Sequence, residues 1–190
     1  MRLILVTPPA VEPVTLDEMK DYLRVDFNDD DRTIQDCIIA ARQKLDGRKG
    51  LLGRCLITQE WRATLDGFPR AIELPLSPVS AVSAITYSDA AGDEQTLAPD
   101  TYMVAGLHDA GLVVISPARG RSWPFAPYTP SIVSVTFTAG YGDAPENVPE
   151  PIRQAIKIYA ASLYENREAI PSGTPPGWLD LINDYRVQAF

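Results

Sequence analysis

The 190-residue chain contains one histidine, His108, and two cysteines, Cys37 and Cys55. These three residues have no metal-ligand spacing, so a zinc site lacks its ligands. Two thiols are too few for a disulfide scaffold, and both are expected to be reduced and buried in a protein made inside a cell. His108 neighbours Asp109, but no Gly-x-Ser-x-Gly elbow supplies a nucleophile for a Ser-His-Asp arrangement. Positive charge is also scarce. The 17 basic against 25 acidic side chains give a net charge of −8, which repels nucleic acid phosphate and anionic lipid from the protein as a whole. Long apolar runs are missing as well: Leu3-Ile-Leu-Val6 stops at Thr7-Pro8-Pro9, too short for a signal-peptide core or a bilayer span. No membrane role is expected.

Two stretches imitate ligand sites and fall short. Asp26, Asn28 and Asp30 begin like a calcium loop, yet Asp31 stands where the sharp-turn glycine belongs and Cys37 where the bidentate glutamate belongs. Asp29, Asp30 and Asp31 are better explained as favouring a helix N-terminus. Gly47-Arg-Lys-Gly50-Leu-Leu-Gly53 has the glycines and cations of a phosphate loop, but no Gly-Lys-Ser/Thr follows and no strand precedes it. No cofactor is expected, and dispersed Asp and Glu side chains give no positive sign of a hydrolase. The chain reads as a non-enzyme.

What is present is patterned. The central stretch runs from Ile132 to Glu165. Val133, Val135 and Phe137 alternate with Ser134, Thr136 and Thr138, the period of a half-buried strand. Gly140 and Gly142 then turn the chain, and Pro149 and Pro151 suit the first turn of a helix, where Glu150 meets the positive end of the dipole. Ile152, Ala155, Ile156, Tyr159 and Leu163 form one apolar stripe, each large member stabilising by roughly 1.5–3 kcal/mol when buried. Earlier in the chain, Thr15 and Glu18 are spaced for a capping box and Val14 for a staple onto Met19, with the helix ending near Arg24. A second stripe, Ile34, Cys37, Ile38, Ala41 and Leu45, repeats the spacing and is expected to face the first. Gly47, Gly50 and Gly53 close that helical segment.

From Ile57 the period changes to two. Gln59, Trp61, Ala63 and Leu65 share one strand face. Short β-like runs follow at Ile72 to Leu76, Val79 to Tyr87, Gln95 to Leu97, Tyr102 to Val104 and Leu112 to Ile115, separated by turns such as Asp89-Ala-Ala-Gly92-Asp93. The expected fold is therefore α+β: a small helical core with an antiparallel β unit inserted between helices, and a C-terminal tail helix. The expected parts are residues 1–55 and 143–170 for the core, 56–142 for the insertion, and 171–190 for a hinge and docking tail.

Several surfaces suit contacts. The insertion loop carries Arg119, Arg121, Trp123 and Phe125, either a contact surface or a surface loop anchored by its tryptophan. Arg42, Lys44, Arg48, Lys49 and Arg54 form a basic cluster on an acidic protein, either a solvated face or one that meets an acidic neighbour. Pro171 to Gly177 cannot continue a helix and reads as a hinge. Beyond it Trp178, Leu181, Ile182 and Tyr185 form a stripe needing a surface to lie on, either the protein's own core or a partner's.

The order of these features resembles the head-tail connector, or adaptor, family of long-tailed bacteriophages and gene transfer agents, in the longer form with a β insertion. The residues carrying the resemblance are Val6-Thr-Pro-Pro9 and Pro13-Val-Thr-Leu16, Asp29-Asp-Asp31 between two helices, Gln59-Glu-Trp61, Leu74-Pro-Leu-Ser-Pro78 and Ile85-Thr-Tyr87. They continue with Thr138-Ala-Gly-Tyr141, Val148-Pro-Glu-Pro-Ile152, Tyr164-Glu-Asn-Arg167 and Leu181-Ile-Asn-Asp-Tyr-Arg186. The resemblance implies a structural virion protein, made in the bacterial cytoplasm, that forms a dodecameric ring at the neck. Its implied partners are further copies of itself, the portal protein above, and a stopper or tail-completion protein below. DNA is implied to pass through the ring without sequence-specific binding. Portal docking maps onto Trp178, Leu181, Ile182, Tyr185 and Arg186, and removal of 171–190 is expected to leave a folded subunit that no longer binds portal. Subunit-contact candidates are Arg48, Lys49, Arg54, Ile158 and Tyr164, although Ile158 and Tyr164 are equally placed to pack under the β unit. The alternative from another class is an intracellular protein-binding scaffold module that grips its partner through the Trp123 loop.

Overall fold

A computed structural model of the chain describes residues 1–109, 111–166 and 174–187. Among the described residues four α-helices, α1 (Leu16–Leu23), α2 (Asp31–Leu45), α3 (Glu150–Glu165) and α4 (Trp178–Ile182), accompany eight strands. The strands are β1 (Arg2–Thr7), β2 (Gln59–Leu65), β3 (Ile72–Leu74), β4 (Val79–Ser88), β5 (Glu94–Thr96), β6 (Tyr102–Ala105), β7 (Val113–Pro117) and β8 (Val133–Ala139). The class is α+β, with β2 to β8 between α2 and α3 as the change of period predicts. Two compact units result: Met1–Pro8 with Thr58–Gly140, and Pro9–Ile57 with Tyr141–Phe190.

The β unit holds a five-stranded sheet in the order β1-β2-β8-β4-β5 and a three-stranded sheet in the order β3-β7-β6, antiparallel throughout. β8 lies at the middle of the larger sheet because every second residue is apolar: Val133, Val135, Phe137 and Ala139 are fully buried while the Ser and Thr residues between them are half-buried. The opening residues depart from expectation. Met1 to Pro8, assigned from sequence to the helical part, instead supply β1, with Leu3 opposite Ala63 and Ile4 opposite Arg62. Four consecutive apolar residues show no period, so strand character there is fixed only by the partner β2. The Asp89 to Asp93 turn joins β4 to β5. The Asp89 carboxylate accepts the N–H groups of Ala91 at 2.9 Å and Asp93 at 3.1 Å, and these bonds, the Asp93 one foremost, hold its pKa below the ordinary aspartate value.

The helical unit starts as its local chemistry dictates. Thr15 accepts the Glu18 N–H at 3.2 Å and Glu18 accepts the Thr15 N–H at 3.0 Å, closing the capping box; Val14 and Met19 are both fully buried. The α2 and α3 stripes pack on each other, with Ile34, Ile38, Ala41 and Leu45 against Ile152, Ala155, Ile156 and Ala160. The α3 stripe is rotated from the expected one: Ala160 is buried, while Tyr159 and Leu163 are half-buried. Cys55 is buried, but Cys37 is only half-buried because it lies on the edge of the α2 stripe. At the corner before α3, a Cβ on Gly142 would collide with the Asn147 side chain, whose Oδ1 accepts the Ala144 N–H at 3.0 Å.

Arg153 ties α3 to the start of α1. Its Nε donates to the Pro13 carbonyl at 3.0 Å, one terminal nitrogen pairs with Glu150 at 2.7 Å, and the other pairs with Glu18. Burial works to raise the Glu18 pKa, but the Thr15 N–H and the Arg153 guanidinium together hold it below the ordinary 4.5. A depressed carboxylate pKa contributes stability that is fully present above the unfolded value and is lost as pH falls through the folded value. Glu18→Gln should therefore weaken folding at pH 7 and narrow its gap from the wild type as pH drops below about 4, read from urea midpoints at each pH. A constant gap down to pH 2 would show that the ionised Glu18 carries none of the acid dependence.

Candidate interaction surfaces

The C-terminal stripe is fastened to its own subunit. Gly177, at φ 72°, admits the turn into α4, and Trp178 is fully buried, donating its indole N–H to the Ala155 carbonyl at 2.7 Å with its ring 5.3 Å from that of Tyr159. Ile182 is fully buried as well. Leu181 and Tyr185 are half-buried against the same core, and Arg186 is exposed. Beyond them the Val187 N–H bonds to the Leu52 carbonyl at 2.9 Å. Of the five residues expected to meet a portal, Trp178 and Ile182 thus fill the helical core, and Arg186 is the one in open solvent. Pro171, Ser172 and Gly173 of the expected hinge lie outside the described residues.

The basic cluster divides in two. Arg42 pairs with Glu12 at 2.7 Å and with Asp46 at 3.0 Å. Arg54 is buried, donating through Nε to the Tyr185 carbonyl, and its guanidinium also hydrogen-bonds the Tyr141 hydroxyl. Its expected part in a subunit contact gives way to an internal one, because Tyr141 and Tyr185 from distant sequence surround it. Burial pushes the Tyr141 pKa up, partly offset by Arg54, so its hydroxyl stays protonated. Lys44, Arg48 and Lys49 remain exposed. In the glycine loop, Gly47 at φ 72° gives its N–H to the Arg54 carbonyl at 2.6 Å and a Cβ on Gly50 would collide with the Leu45 carbonyl, so that loop is a tight turn closed on itself. Ile158 and Tyr164 pack partly on the helical core, and the Tyr164 hydroxyl donates to Asp30 at 2.5 Å.

The calcium-like series is occupied by a cation of the chain itself. The Lys20 ammonium lies 2.7 Å from both Asn28 Oδ1 and Asp31 Oδ1. Among the described residues no group of His, Cys, Asp and Glu is arranged to hold a metal ion, and no helix is long and apolar enough to cross a membrane. His108 sits in a loop at φ 61° with its backbone N–H on the Val79 carbonyl.

The insertion loop is anchored and displayed. Trp123 stacks on Phe68, ring centroids 5.0 Å apart and planes 13° from parallel, and its indole N–H is buried without an acceptor. Arg121 pairs with Asp100 at 2.9 Å, Arg119 is exposed, and Phe125 is 77% exposed. A cleft lined by Tyr87, Leu97, Arg121 and Trp123 opens beside the stack. Tyr128, which the sequence reading passed over, is 87% exposed; the spacing Pro124, Pro127, Pro130 is the signal that would have found it, since prolines at every third position keep a chain extended and its intervening side chains out of a core.

Residues 13–96 match the family described as phage gp6-like head-tail connector proteins. Over the whole chain the fold matches a protein in the neck of an empty gene transfer agent particle with C6 symmetry, at TM-score 0.82 and 28% identity, covering 100% of this chain and 97% of the other. The chain is similar to head-tail connector proteins over those 84 residues and to gene transfer agent neck chains along its whole length. The chain also matches one in the native gene transfer agent virion at the same score, identity and coverage. A third match is to the neck of the native particle with C12 symmetry, at TM-score 0.79, 28% identity and the same coverage of both chains. No curated protein matches this sequence.

Proposed function

We propose that the chain is a structural virion protein of the neck, joining the DNA-filled head to the tail as a ring under the portal. The observation that carries this reading is the full-length correspondence with gene transfer agent neck chains, in which both chains are covered almost completely at TM-score 0.82. Twelve copies are the natural count, since the related native neck has C12 symmetry. The ring lies between the portal and a stopper or tail-completion protein and is filled from subunits made in the bacterial cytoplasm. Its work is assembly rather than turnover. A net charge of −8 suits a passage for DNA, because carboxylates near the lumen do not retain the moving phosphate backbone.

Portal docking rests on Arg186 and the exposed Leu179 rather than on the whole α4 stripe, whose buried members hold the segment in place. Electron microscopy of the purified full chain, alone and mixed with portal rings, tests the reading. Twelvefold rings on portal are expected. Portal rings that stay bare at saturating subunit concentration would rule the function out.

A further inference from the structure

We propose that the loop from Arg119 to Ser131 of one copy seats on the α1–α2 loop of the next copy, so that these two patches close the ring. The inference rests on the ring reading above, because a cyclic assembly needs two different, complementary patches on every subunit. The first patch is a pinned arch. At one end Trp123 stacks on Phe68; at the other, the Thr129 N–H bonds to the Asp66 carbonyl at 3.1 Å and the Ser131 N–H to Asp66 Oδ1 at 2.8 Å. Between the pins, Pro124 and Pro127 preset the backbone while Phe125 and Tyr128 project at 77% and 87% exposure. Exposed aromatics with arginines are the residues that dominate interface energies. An arch already held in shape loses little conformational freedom on binding.

Charge identifies the occupant. Residues 117–131 contain Arg119 and Arg121 and no acid, in a chain of net charge −8. The α1–α2 loop is the opposite: residues 21–31 hold five Asp and one Arg. Asp30 and Asp31 are taken up by Tyr164 and Lys20, which fixes the loop, while Asp26 and Asp29 are exposed beside Phe27 at 48% exposure. Arg121 already pairs with Asp100, so Arg119 is the cation the arch offers beside its aromatics, while the loop, net acidic despite Arg24, offers Asp26 and Asp29 beside Phe27, and these charges are opposite across copies.

The test uses the full chain with and without purified portal rings, scoring ring formation by sedimentation velocity. Arg119→Glu and Asp29→Arg should each lower ring association by about tenfold or more, and the two together in one chain should restore it. A chain carrying both Phe27→Cys and Phe125→Cys should give a ladder of disulfide-linked multimers on mild oxidation, whereas either change alone should not. Wild-type rings that form while the single reversals assemble normally, or while the double variant gives no ladder, overturn the inference and leave the ring intact. Failure of the wild type to form rings even on portal overturns both.

Discussion

Trp178→Ala should lower the free energy of unfolding of the helical unit by about 3–5 kcal/mol, the range for emptying a fully buried large aromatic site. The indole is fully buried on α3 and its N–H bonds the Ala155 carbonyl at 2.7 Å, so both apolar contact and a hydrogen bond are lost. Trp178→Phe keeps most of the volume and removes the bond, and should cost roughly 1–2 kcal/mol. The same physics reverses the expectation that removing residues 171–190 leaves a sound subunit. That truncation deletes Trp178 and Ile182 together and should destabilise the unit at least as much as Trp178→Ala. Urea titrations followed by circular dichroism compare the three. A truncated chain with an unchanged midpoint would mean that α4 contributes nothing to the core.

The tail shows what a sequence exposes and what it leaves open. Periodicity identified Trp178 and Ile182 as apolar neighbours on one helix face, and that face is indeed buried. Periodicity does not say against which surface a stripe lies, because that depends on the groove that α3 leaves beside Ala155 and Tyr159. Features decided within a few residues were legible: the Thr15 and Glu18 capping box, the alternation of β8 and the Asp89 turn all follow from local chemistry. Features decided by remote partners were not. β1 becomes a strand because β2 offers it an edge, and the loop at Tyr128 is displayed because Asp66 and Phe68 pin the chain on either side of it. For the candidate surfaces, the sequence places Arg119, Arg121, Trp123 and Phe125 in one loop, of which Trp123 is half-buried and the other three exposed, but it groups Arg54 with Arg48 and Lys49 on spacing alone. Adjacent cations in sequence shared no environment in space.

Arg54 is where that difference has the largest measurable consequence. Arg54→Met keeps the aliphatic stem but leaves the Tyr185 carbonyl and the Tyr141 hydroxyl without their donor. Each buried polar group left unsatisfied costs about 1–3 kcal/mol, so a loss of roughly 3 kcal/mol is expected. Part of that loss should appear as local opening of residues 183–187, since the Arg54 bond and the Val187 N–H to Leu52 carbonyl bond are what tie this segment down. Trypsin cleavage after Arg186 reports such opening. When opening is fast relative to cleavage, the rate follows the opening free energy, and every 1.4 kcal/mol is a factor of ten. Arg54→Met should therefore accelerate that cut by about ten- to a hundredfold in native buffer. Arg54→Lys, with a single point charge in place of the planar fork, should recover only part of the protection. Equal cleavage rates in all three proteins would show that the segment is held by packing alone. Acceleration in both variants, coupled with loss of portal binding in each, would place the docking surface on the geometry that Arg54 imposes around Tyr185 and Arg186 rather than on an unstructured tail.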